Sequence, residues 1–87
     1  MKVSVWDTYV KRQDGLLMHF DIVVPSTEVN KTKIFNFGTI YLQQKAFKTG
    51  KLSTKECTFC HIENATQSII NEIQKKGFYI IEMENCN

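Results

Sequence analysis

Proline occurs once and glycine four times in 87 residues, so the chain has neither a collagen-like repeat nor a Pro- or Gly-rich linker. Nowhere do about 18 apolar residues follow one another, which leaves no candidate for a membrane-spanning helix. The opening Met1-Lys2-Val3-Ser4-Val5-Trp6-Asp7 has an early acidic residue and no apolar stretch of signal-peptide length, and the chain therefore reads as soluble and cytoplasmic. The three cysteines, Cys57, Cys60 and Cys86, are an odd number, which excludes a complete disulfide framework and fits reduced thiols. Neither sign of charge dominates: 11 Lys and Arg against 9 Asp and Glu leave +2. Without a concentrated cationic patch, neither nucleic acid nor an anionic membrane is the expected partner.

What is present is ordinary globular composition, 43% apolar and 23% charged, in a length that suits a single domain spanning residues 1–87. Val3 to Val10 and Leu16 to Val24 are rich in β-branched and aromatic residues and flank Lys11-Arg12-Gln13-Asp14-Gly15, the pattern of a β-hairpin. A two-residue Asp14-Gly15 turn predicts the pairs Gln13–Leu16, Tyr9–Phe20, Asp7–Ile22 and Val5–Val24. Val5, Tyr9, Phe20, Ile22 and Val24 then form an apolar side, with Asp7 an odd member. Trp6, Thr8, Val10, Leu17, His19, Asp21 and Val23 form a mixed opposite side.

After Pro25 the period changes. Ile34, Phe37, Gly38, Tyr41 and Leu42 recur at helical spacing between Glu28 and Lys48, and a glycine inside such a stripe argues for close approach of helix to sheet. Leu52 to Ile62 reads as a third strand. Asn64 and Gln67 imitate a capping box before a second helix with Thr66, Ile69, Ile70 and Ile73 on its stripe, Lys75 and Lys76 in its last turn and Gly77 after it. Phe78-Tyr79-Ile80-Ile81 is a short apolar strand. The expected fold is α+β, a two-layer sandwich of β-β-α-β-α-β order with about four strands. Right-handed crossovers would pack both helices mainly on one face if the strands were added in one direction along the sheet.

Two constellations could carry chemistry. Cys57-Thr58-Phe59-Cys60-His61 literally matches the attachment pattern of c-type haem, but it lies on a predicted strand in a chain read as cytoplasmic. Zinc suits the spacing better: Cys57, Cys60 and His61 supply soft and borderline ligands, with Cys86 or His19 as candidate fourth. Residues three apart on a regular strand point to opposite faces, however, so both thiols reach one ion only through a backbone knuckle. A thiol-redox role for the pair lacks a helix N-terminus to acidify either sulfur. Packing of the cysteines is favoured over both, and no cofactor is the leading expectation.

The second constellation is Trp6, Thr8, His19 and Asp21 on the mixed hairpin face. His19 oriented by Asp21 could act as a base in a small enzyme, yet no activated nucleophile accompanies them and no catalytic residue is assigned. An open sheet face carrying a tryptophan would instead suit a ligand, a partner or a homodimer. A binding or interaction module is the favoured function, ahead of a zinc- or redox-responsive protein and then an enzyme.

Asp7-Thr8-Tyr9-Val10, Met18-His19-Phe20-Asp21, Cys57-Thr58-Phe59-Cys60-His61, Gly77-Phe78-Tyr79-Ile80 and Met83-Glu84-Asn85-Cys86-Asn87 together resemble a family of short bacterial proteins, the domain-of-unknown-function family numbered two-thousand-and-twenty-four. The resemblance implies an α+β domain of the same element order and no particular activity, substrate or cofactor. The chain differs from that pattern at Asn85, where glycine is usual, and at Thr66, where a proline can open the second helix.

Overall fold

The computed structural model describes residues 1–87. The elements are β1 (Lys2–Lys11), β2 (Leu17–Pro25), α1 (Lys31–Gln43), β3 (Cys57–Asn64), α2 (Gln67–Lys76) and β4 (Tyr79–Glu84). The four strands form one antiparallel sheet in the order β3-β1-β2-β4. Class, element order and strand number are those expected from the sequence.

The hairpin register differs from expectation by one residue. Three residues, Gln13, Asp14 and Gly15, form the loop, because the Arg12 N–H donates to the Leu16 carbonyl at 2.8 Å and the Gly15 N–H to the Arg12 carbonyl at 3.0 Å. Gly15 has φ +93°, the left-handed position of a three-residue hairpin loop closed by a bulge. Asp14 Oδ1 accepts from the Leu16 N–H at 3.2 Å. The pairs are consequently Trp6–Ile22, Thr8–Phe20, Val5–Val23, Asp7–Asp21 and Tyr9–His19. A slip of one residue exchanges the faces of one strand relative to the other. Phe20, Ile22 and Val24 therefore share a face with Trp6, Thr8 and Val10, while Val5 and Tyr9 join Val23, His19 and Asp21.

The first of these faces is covered by α1. Asn30 caps that helix, its Oδ1 accepting from the Lys33 N–H at 3.2 Å, and Ile34, Gly38 and Tyr41 are buried against the sheet. A Cβ on Gly38 would stand 2.6 Å from Leu52 Cδ1 and 2.9 Å from Ile22 Cδ1, so any side chain there would have to push those two tips aside. The helix is shorter than the stripe suggested. The segment after it leaves helical geometry, bonds back to the hairpin through the Gly50 N–H and the Lys11 carbonyl at 2.9 Å, and inserts Leu52 into the core as a loop residue.

The opposite face receives α2, whose Ile73 and Ile69 pack on Val3, Val5, Val23, Tyr79 and Ile81. Thr66, and not Asn64, is its cap, accepting from the Ile69 N–H at 3.3 Å. Gly77 closes it at φ +89°, as the sequence suggested. The expectation of both helices on one side is thus corrected to one helix on each. Its premise was addition of strands in one direction, whereas β3 joins at the β1 edge and β4 at the β2 edge. The near-continuous apolar run Ile22-Val23-Val24 also requires cover on both faces.

The C-terminal residues fold back onto the hairpin. Arg12 Nη1 donates to the Asn85 carbonyl at 3.0 Å and the Asn87 carbonyl at 2.7 Å, and its guanidinium lies 3.7 Å over the Phe47 ring. Asn85 adopts φ +57°, the conformation that glycine takes without steric cost, and its Nδ2 donates to the Leu17 carbonyl at 2.7 Å. Cys86 is thereby buried in the α1-side core.

Candidate functional site

Helix α2 covers only the end of its face that carries Val3, Val5 and Val23. Toward the hairpin loop the same face presents Asp7, Tyr9, His19 and Asp21. Asp7 and Asp21 are direct cross-strand partners, a placement of like charges that is unfavourable unless something compensates it. His19 Nε2 lies 3.5 Å from Asp7 Oδ1 and 3.5 Å from Asp21 Oδ1. Tyr9 stacks on the imidazole, with centroids 4.1 Å apart and planes 11° from parallel, and so fixes the ring plane.

Asp21 is 9% exposed. Its Oδ1 and His19 Nε2 are both sealed from solvent and neither has a hydrogen-bond partner. Burial, and next the adjacent Asp7 carboxylate, push the Asp21 carboxyl up to about 6. Asp7 is held below the usual carboxylate range, chiefly through its side-chain contact with the Asp21 carboxyl. The pair therefore shares a proton under mildly acidic conditions and carries two facing charges above about pH 6.

The third strand adds a thiol and a second imidazole. Val5 pairs with His61 and Trp6 with Phe59, leaving Cys60 as the extra residue of a β-bulge. The bulge brings Cys60 beside the Asp7 carboxylate, and desolvation followed by the Asp7 charge raises its thiol, which keeps the sulfur protonated and weakly nucleophilic. His61 Nδ1 lies 3.2 Å from Cys60 Sγ, and His61 Nε2 lies 3.6 Å from Glu63 Oε1.

The residues proposed from the sequence are divided by this geometry. Trp6 and Thr8 lie on the α1 side, Trp6 8% exposed and edge-on to Phe59 at 5.6 Å, Thr8 fully buried with its hydroxyl donating to the Trp6 carbonyl. Only His19 and Asp21 of that set share the open face, and the exposed tryptophan on which a homodimer surface was argued does not exist. Cys57 and Cys86 belong to the α1-side core, while Cys60 is exposed and, with His61, stands on the other face. The sheet separates the Cys57 and Cys60 thiols, so the pair can neither chelate one ion nor close a disulfide, and the ligand set Cys57, Cys60, His61 and Cys86 is not assembled. Asp7 and Tyr9 are the site residues that the sequence reading missed. Asp7 had signalled itself as an acid on a supposedly apolar face.

The largest surface cleft lies elsewhere, between the end of α1 and residues 47–52, with Lys45, Lys48 and Lys51 on its walls. It is shallow and open, its Lys45 is paired with Glu82 at 2.5 Å, and it gathers no comparable cluster.

Fold and site together define an α+β domain with an antiparallel 3-1-2-4 sheet, a helix on each face and an imidazole–dicarboxylate cluster on the half-face left open. The family model described as a domain of unknown function, DUF2024, matches residues 1–83, and the chain belongs to that family. It is also similar to protein NE1680 from Nitrosomonas europaea, whose NMR structure shares 34% identity at a TM-score of 0.79, with all of both chains covered. Comparison with curated proteins gives no match.

Proposed function

We propose that the protein is a binding module whose working surface is the uncovered half of the α2 face, centred on Asp7, His19 and Asp21. The observation that carries this reading is the convergence of Asp21 Oδ1 and His19 Nε2, buried and without hydrogen-bond partners, on a carboxylate directly across the strand pair. Buried polar atoms are ordinarily paired, and like charges set opposite each other cost stability. Such a feature supports retention for a ligand and not for the fold. Binding is favoured over catalysis because the nearest nucleophile, Cys60, is held in its protonated form by the same negative charge.

The test needs no ligand. Asp21→Asn and Asp7→Asn each remove one of two facing charges while keeping shape, and urea denaturation at pH 7.5 or above, roughly 1.5 units past the value to which Asp21 is raised, should show an unchanged or higher midpoint for both. A midpoint lowered in both variants would make the cluster a structural brace and overturn the reading.

A further inference from the structure

We propose that this cluster is a metal site, taking one divalent ion of the zinc type through Asp7 Oδ1, His19 Nε2 and Asp21 Oδ1. The proposal rests on the binding reading above and names its ligand. The spacing argues first. At 3.5 Å the imidazole nitrogen is too far from either oxygen for a good hydrogen bond, and neither His19 Nε2 nor Asp21 Oδ1 has another partner. Two ligands about 2.0–2.1 Å from a tetrahedral ion stand about 3.3 Å apart. The three ligand atoms all lie within 4.8 Å of one another, so small side-chain rotations suffice to close on an ion.

Charge and ligand type select the ion. Two facing carboxylates offer two negative charges, which a dication neutralises where protonation removes only one. One imidazole with two carboxylates is a borderline set that suits zinc and its neighbours. Calcium demands six to eight oxygens, and magnesium keeps a mostly aqueous octahedral shell. The position is preorganised, since all three ligands stand on the central hairpin and Tyr9 holds the imidazole by stacking. Three protein ligands leave a fourth position open, the arrangement of zinc sites that bind a water or an incoming ligand. Cys60, displaced by the bulge to the edge of the Asp7 carboxylate, stands beside it.

Isothermal titration of the full chain with zinc chloride, and optical titration with cobalt chloride, test this. One equivalent of zinc should bind, and cobalt should give the intense visible absorption of a four-coordinate ion. His19→Gln and Asp21→Asn should each weaken zinc binding at least about 100-fold, since even outer-shell changes cost 10–100-fold. Amide spectra of both variants should match the wild type, which separates lost ligands from lost structure. Calcium chloride at the same concentration should leave the protein unbound. Absence of zinc binding, zinc binding undiminished in both variants, or equal affinity for calcium would each overturn the proposal. The denaturation midpoints of Asp21→Asn and Asp7→Asn judge the binding reading separately, so a failed titration with raised midpoints removes the metal and keeps the surface.

Discussion

The two faces of one sheet are put to different uses. On the α1 side twelve buried residues form a continuous cluster from Trp6 to Cys86, and the fully buried polar side chain among the strand residues there, Thr8, is hydrogen-bonded. On the α2 side four buried residues form a smaller cluster at one end, and beyond it the strands carry two acids opposite each other. Both faces come from the same backbone and the same hairpin, so the difference lies in the side chains and in how far each helix reaches. One face supplies stability. The other gives up part of its area to a cluster that a structure built for stability alone would lack.

The comparison breaks most sharply at Phe20. This ring is fully buried on the α1 face and packs against Tyr41 at 4.8 Å between centroids, so Phe20→Ala should cost roughly 3–5 kcal/mol. Tyr9→Ala, one residue along from the Thr8 that pairs with Phe20 and therefore on the open face, should cost far less; equal losses in urea denaturation would contradict the assignment of faces. Gly38→Ala comes next. Its new methyl would meet the tips of Leu52 and Ile22, and overpacking of this kind costs roughly 1–3 kcal/mol. A melting temperature raised by the improved helix propensity would mean that α1 stands off the sheet.

The open face should respond to pH in a way the other does not. Asp21 is raised from 3.8 to about 6, so the native state holds the extra proton between those values and stability from this group falls as pH rises through that window. Asp7 is lowered, so its contribution is present above its ordinary value and lost as pH falls through its depressed one. The pair is therefore most favourable with one proton shared, near the ordinary carboxylate value of 3.8. Wild-type protein in chelator should lose on the order of 1–2 kcal/mol relative to Asp21→Asn between about pH 4.5 and 7.5. Parallel pH profiles for the two proteins would show that the acids do not interact. The smallest effect belongs to the helix that closes the second face: Thr66→Ala removes the hydroxyl accepting from Ile69 and should lower stability by about 1 kcal/mol. No change in the melt would place the start of α2 elsewhere.

Much of the scaffold was legible before any coordinates. The apolar runs, Gly77 after Lys75-Lys76 and the glycine in the stripe of α1 each announced an element or a contact that is present. The register was not. β2 is buried at nearly every position from Met18 to Val24, so its alternation carries no information about which residues face which side. Asp14-Gly15 signals a two-residue turn, and the loop takes a third residue with Gly15 left-handed. That single residue decided whether Asp21 faces Thr8 or Asp7. The cysteines were misleading for a related reason. Their spacing is that of a chelating pair, but a strand sends Cys57 into one core and the bulge delivers Cys60 to the opposite face.

Element types, their order and their ends follow from local chemistry: β-branched runs extend, helical periodicity winds, Thr and Gly terminate, and each acts within a few residues of chain. Which helix covers which face, and which acid meets which imidazole, depend on pairings between residues more than ten positions apart. Hydrogen-bond ladders accept neighbouring registers almost equally well, and only the simultaneous burial of Phe20, Ile22 and Val24 under α1 and of Val5 and Val23 under α2 selects one of them. The same selection set Asp7 against Asp21 and His19, a meeting that no stretch of the sequence contains by itself.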